Sequence, residues 1–303
     1  MTAVKKNANR IKSTKGDFAF MVFVYVFLFL AFVVVLFPLV YIISASFSDP
    51  KAVVSGQVWL FPVDFTLKGY KAVFENAQIV SGFYNAFIYM FAGTAVSLVL
   101  TVLAAYPLSR RELAGRKFFN GLFLFTMLFS GGMIPTYILL KDLNMLDTRW
   151  AIIIPSALSV WNLIITRTYY QNTIPNELYE AAHLDGCSDF KCLTRIVLPL
   201  SGPILAVMGL YYAIGQWNSY FNAMIYLKDQ ALFPLQIILR NILIQNQMSG
   251  QMISDATQLE RMQGLAQLLK YSVMVVSCLP LVALYPFVQK FFVKGVMIGA
   301  VKG

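Results

Sequence analysis

The sequence predicts an all-α integral membrane protein: six transmembrane helices, with both termini in the cytoplasm. Three observations carry that reading. Only 13% of the 303 residues are charged and 58% are apolar, whereas roughly a quarter of a soluble domain is charged. The apolar residues, with a mean hydropathy of +0.67, gather in six runs, each compatible with the roughly 20 residues a helix needs to cross a bilayer. The basic residues concentrate in alternate intervals between those runs, as the orientation of a membrane protein requires.

The tail 1–17 carries Lys5, Lys6, Arg10, Lys12 and Lys15 ahead of an uncharged run over 18–43. A cleaved signal peptide has an apolar core of about 7–15 residues ending at a small-residue site. This run is longer and lacks such a site, so it reads as a retained first span. Further runs occupy 83–108, 118–140, 150–170, 196–217 and 271–289. Arg167 interrupts the fourth near its end and is expected to snorkel to the interface. The apolar stretch 231–243 is broken by Pro234 and Arg240 and is not counted as a span. The chain divides into a cytoplasmic tail 1–17, a membrane domain 18–293 and a cytoplasmic tail 294–303.

This arrangement places 1–17, 109–117, 167–195 and the tail from Lys290 inside. Those intervals hold 15 of the 24 Lys and Arg residues, the outside loops 9. Two outside loops, 48–82 and 218–270, are long; the second includes a polar, glycine-interrupted stretch. The three cysteines, Cys187, Cys192 and Cys278, fall in no outside loop, so structural disulfides are not expected.

The net charge of +10 sits at the ends of apolar runs rather than in a stripe interleaved with aromatics, which argues against nucleic-acid binding. No Gly-Lys dipeptide occurs, so a GxxxxGK[ST] phosphate loop is absent. His183 is the only histidine; a Ser-His-Asp constellation or a multi-histidine metal site cannot be built within one chain. His183, Cys187 and Cys192 make a poor ligand set for a metal, and none is assigned. The middles of the runs carry no charge, whereas ion-coupled carriers need intramembrane ionisable groups or broken helices. Pro38, Gly93, Pro107, Pro155, Gly209, Gly215 and Pro280 are read as kinks and close-packing points.

The interval 174–203 is polar between two apolar runs. Pro175 and Asn176 carry helix-start chemistry, and Gly186 is a left-handed stop. Ser188 is placed to cap the next turn. Leu178, Ala181, Ala182 and Asp185 share one face by spacing, with Glu177 and Glu180 on a second edge. Alanines on such a face permit close approach of another backbone.

The order Glu180-Ala181-Ala182, three residues, Gly186, nine residues, Ile196-x-Leu198-Pro199 resembles the EAA loop of the permeases of binding-protein-dependent ABC importers. The likeness extends over the basic tail, the six runs, QWNSYFNAMIYL after the fifth run and the C-terminal FVKGVMIGAVKG. These point to the carbohydrate branch, which includes the maltose-type and LplC- and YtcP-like permeases. The resemblance implies the type I ABC importer permease fold and a non-catalytic subunit in the bacterial plasma membrane. Its implied partners are a second homologous permease, an ABC ATPase dimer that holds ATP and Mg, an extracytoplasmic solute-binding protein, membrane lipid and an oligosaccharide. Glu180, Ala181, Ala182, Asp185 and Gly186 would couple to the ATPase, the tail 294–303 would lie near it, and loop 218–270 would meet the binding protein.

For the substrate path the candidates are Tyr211, Tyr212, Gln216, Trp217, Asn218, Tyr220 and Asn222. Aromatic faces cover sugar C–H surfaces and amides bond sugar hydroxyls, although Tyr and Trp also populate membrane interfaces. Two other classes stay open: an autonomous ion-coupled carrier for a small polar solute, and a membrane scaffold without transport.

Overall fold

The computed structural model describes residues 14–249 and 256–300. Among the described residues the regular structure is all helical, with no strand. The expectations for the tail 1–17, for a segment of loop 218–270 that would enter a binding protein, and for the last residues of 294–303 lie wholly or partly outside them.

Helix α1 (Lys15–Ser46) starts at a capping box in which Thr14 and Asp17 satisfy each other's backbone amides. It is apolar on every side, and its central residues are not buried by the rest of the chain. Only Ser44, Ala45 and Ser46 are buried. Two short helices follow in the first long outside interval: α2 (Pro50–Val54), capped by Asp49 with Pro50 in its first turn, and α3 (Lys68–Glu75).

Helix α4 (Ala77–Ser109) is the central post. Asn76 caps it by accepting from the amides of Gln78 and Ile79 at 3.0 and 3.2 Å. It packs against four later elements: α7 (Trp150–Ile153), α8 (Val160–Thr173), α12 (Gly202–Trp217) and α14 (Leu235–Ser249). A Cβ on Gly93 would sit 2.5 Å from Gln216 Cδ, so glycine there lets α12 approach.

The run 118–140 forms two helices, α5 (Arg116–Leu128) and α6 (Met133–Asp142), bent by 110° at the Ser130-Gly131-Gly132 break. Gly132, at φ +86°, adopts a conformation that side chains disfavour. The run 150–170 also divides, into α7 and α8, around Pro155, and Ser159 caps the second piece. Between α8 and α12 lie α9 (Asn176–Leu184), α10 (Asp189–Cys192), a wide turn over Leu193–Val197 and α11 (Leu198–Leu200). The α10–α11 segment meets α12 at 84°. Among the described residues three helices are long and apolar enough to cross a membrane alone, and up to five spans result if each bent pair counts as one. The fourth apolar run is where six runs and these helices part: α8, at 14 residues, is shorter than a crossing needs.

The interval 218–270 is largely helical, with α13 (Tyr220–Tyr226), a tight turn over Gln230–Leu232, α14 and the start of α15 (Ala256–Ala300). α15 therefore begins well before the apolar run 271–289. Gly264 lies on it against Pro50, where a Cβ would come within 2.8 Å. Polar groups tie the 226–233 turn down. Asp147 accepts from the amides of Lys228 and Asp229, both at 2.8 Å. Asn85 donates to the carbonyls of Ala231 and Phe233 and accepts from Arg149 Nη2 at 3.1 Å. The three cysteines are free.

Candidate functional site

The interval 174–203 begins with α9. Pro175 supplies an extended residue ahead of it, and the helix stops at Asp185. Gly186, at φ +74°, turns the chain, with its amide on the His183 carbonyl and that of Cys187 on Ala182. This is the left-handed stop the sequence predicts. Ser188 caps α10 by accepting from the Lys191 amide at 3.4 Å.

Two residues of α9 face its own molecule. Tyr179 and Ala182 are buried, one turn apart on the same side. The guanidinium of Arg110, at the end of α4, lies 3.6 Å from the centroid of the Tyr179 ring, a cation–π contact. Tyr106 packs on the same ring, with centroids 6.4 Å apart. Burial pushes the Tyr179 hydroxyl above its ordinary pKa, partly opposed by Arg110; the ring stays neutral at physiological pH. Ala182, Cys192 and Val197 join α4 and α8 residues in one buried cluster that reaches Tyr212 on α12.

The other side of α9 is open. Glu180, Ala181, Asp185 and Gly186 are exposed, as is Leu184 at 90%. The two alanines thus part: Ala181 faces outward and Ala182 faces the core. Beside α9 lies a cleft of about 1030 Å³, lined by Leu103, Tyr106, Arg110, Glu180, Leu184 and Phe190 among others. His183 borders it, 3.6 Å from Asp189.

The seven path candidates divide in the same way. Ile204, Met208, Tyr212 and Gln216 form a buried stripe along α12. The Tyr212 hydroxyl lies 2.6 Å from Thr101 Oγ1 and accepts from the Ser159 amide at 3.3 Å. Gln216 donates to Ser156 Oγ at 3.0 Å. Trp217 donates from Nε1 to the Ser277 carbonyl at 3.2 Å and packs edge-on to Phe87. In this arrangement Tyr212, Gln216 and Trp217 join helices together and line no open face. Tyr211, Gly215 and Asn218 lie on the exposed face, spaced by four and three, with Tyr220 exposed and Asn222 half-buried on α13. Asn218 donates from its side-chain Nδ2 to the Ile214 carbonyl at 2.9 Å.

Sequence reasoning missed Tyr179 and Arg110 as the pair that seats α9. Arg110 counts there only as a basic residue of the orienting 109–117 interval. The one available signal was the spacing of Tyr179 and Ala182.

Residues 97–298 match the family described as "Binding-protein-dependent transport system inner membrane component". The chain belongs to that family. The match takes in the whole interval 174–203 and both open helix faces. The chain is 42% identical over 273 residues to protein LplC of Bacillus subtilis strain 168, covering 89% of this chain and 90% of the relative. It is also 42% identical over 281 residues to the polygalacturonan/rhamnogalacturonan transport system permease protein YtcP of the same organism, covering 92% and 97%. Among solved structures it is similar to a chain from a bacterial ABC transporter involved in the import of the acidic polysaccharide alginate. That likeness has a TM-score of 0.84 and 32% identity, covering 93% of this chain and 99% of the other. The fold is that of ABC importer permeases, and the protein is an inner-membrane component.

Proposed function

We propose that this chain is the non-catalytic permease subunit of an ATP-driven importer of oligosaccharides, working through a partner ATPase. The carrying observation is the seating of α9. Tyr179 and Ala182 fix it to α4, α8 and α12, while Glu180, Ala181, Leu184 and Asp185 remain open for a partner. A helix held this way moves with the bundle. ATP and Mg sit on the ATPase dimer, and its closure reaches the membrane through α9 and the cluster ending at Tyr212. Packed side chains with two discrete arrangements are the physical means of such coupling.

A second, homologous permease completes the path, and an extracytoplasmic binding protein delivers the substrate. Two features support the pairing: the open α12 face, and α1, whose apolar surface is uncovered by its own chain and is left to lipid or the second permease. Tyr211, Asn218, Tyr220 and Asn222 contribute the aromatic and amide groups of one wall. Uronate-bearing oligosaccharides are the first class to test, since YtcP is named for polygalacturonan and the similar solved structure imports alginate.

The test is co-purification in mild detergent of wild type, Glu180→Lys and Gly186→Asp, with partners identified by mass spectrometry. Wild type should bring down an ATPase and a second permease, and the variants should lose the ATPase. Purification of all three forms alone and intact would overturn the reading in favour of an ion-coupled carrier.

A further inference from the structure

A second cleft, of about 750 Å³, lies among the 111–117 turn, the first turns of α5 and Arg167 of α8. Four cations line it, Arg111, Arg116, Lys117 and Arg167, and no acidic side chain does. None of the four takes part in an ion pair among the described residues. Gathering like charges is unfavourable unless an anion compensates them.

Of the four, Arg167 is held in place rather than splayed into water. Arg167 Nη1 donates to Asn120 Oδ1, and Asn120 Nδ2 donates to the Arg116 carbonyl at 2.8 Å. That leaves Arg167 Nε buried without a hydrogen-bond partner. α5 starts at the same cleft from Gly115, and no side chain caps its first turn. A helix N-terminus in that state favours an anion.

The remaining wall is apolar. Leu113 and Leu124 line the cleft, and Phe118, Phe119, Leu122 and Phe125 of the same helix are exposed. The cations therefore continue directly into an apolar surface, as a lipid requires and a free phosphate does not. Basic pockets between membrane helices on the cytoplasmic side take up anionic headgroups.

We infer that this cleft binds an anionic phospholipid, its phosphate held by Arg116, Lys117 and Arg167 and its acyl chains along the exposed face of α5. The inference is independent of the substrate and of the coupling role of α9.

The test is native mass spectrometry of the full-length protein titrated with phosphatidylglycerol, phosphatidylcholine or inorganic phosphate. Wild type should retain phosphatidylglycerol and not phosphatidylcholine, and excess inorganic phosphate should leave that retention unchanged. R116Q/K117Q should weaken retention about thirtyfold, the charge-preserving R116K/K117R hardly at all. Should the double variant fail to purify, R111Q, at an exposed position, reads the same site with about a fivefold loss. Equal retention by R116Q/K117Q, equal binding of phosphatidylcholine, or displacement by phosphate would each overturn the inference. So would loss of a co-purifying ATPase with phosphatidylglycerol retention intact, since the cleft would then be a protein contact.

Discussion

Adjacent alanines on α9 do different work. Ala182 is 7% exposed and packs in the cluster joining α9 to α4, α8 and α12, whereas Ala181 faces outward. Enlarging the first overfills a packed site, at a cost of about 1–3 kcal/mol. Enlarging the second, on an open face, is expected to leave the fold alone and to obstruct the ATPase proposed to dock there. Ala182→Leu is therefore expected to lower the melting temperature in detergent. Ala181→Leu should melt like wild type yet fail to retain the ATPase. Equal melting of the two variants would mean that Ala182 is not a packing residue. That α9 exists, and where it stops, was legible, because its start, stop and next cap depend on residues within a few positions of one another. Which alanine faces inward was not: in sequence both fit a close-approach face.

Among the elements, the 226–233 turn is held by one carboxylate at its base. Asp147, at φ +58°, accepts from two backbone amides, which hold its pKa below the ordinary aspartate value. A carboxyl with a depressed folded-state pKa contributes stability above its unfolded value and loses it as pH falls through the folded one. Hydrogen exchange at the Lys228 and Asp229 amides should therefore stay slow from neutral pH down into the acid range. It should accelerate only below the ordinary aspartate range. Asp147→Asn should exchange faster than wild type at neutral pH and show no such acid step. A wild-type profile with no acid step would rule out the carboxylate as the clasp. By sequence the interval around this turn reads as a loop, since its glycine and polar residues give no sustained period. Its turn is fixed instead by Asn85 and Tyr89, which donate to the Ala231 and Leu232 carbonyls from a distant part of the chain, with Arg149 in turn donating to Asn85.

At the scale of the whole molecule, basic-residue placement puts 109–117 inside and 48–82 outside. In spheroplasts, a membrane-impermeant thiol reagent should add label to Gly56→Cys over the wild-type background, and not to Ala114→Cys until the membrane is opened. Labelling of Ala114→Cys in intact spheroplasts would invert the expected topology and with it the cytoplasmic position expected of α9.

Composition, charge placement and short-range cap chemistry determined the membrane class, the helical fold, the polar interval 174–203 and its Gly186 turn. Each depends on sums over the chain or on residues a turn apart. The tertiary structure alone decided which side of each membrane helix is buried. A helix that is apolar all round carries no stripe to mark its inner face. Tyr211 and Tyr212 look equivalent in such a run, and only contacts with Thr101 and Ser159 send the second inside. The seating of Tyr179 on Arg110 is likewise settled between segments far apart in sequence, where no local period reaches, whereas the breaks at Gly132 and Pro155 fall on residues that disfavour a continuing helix by themselves.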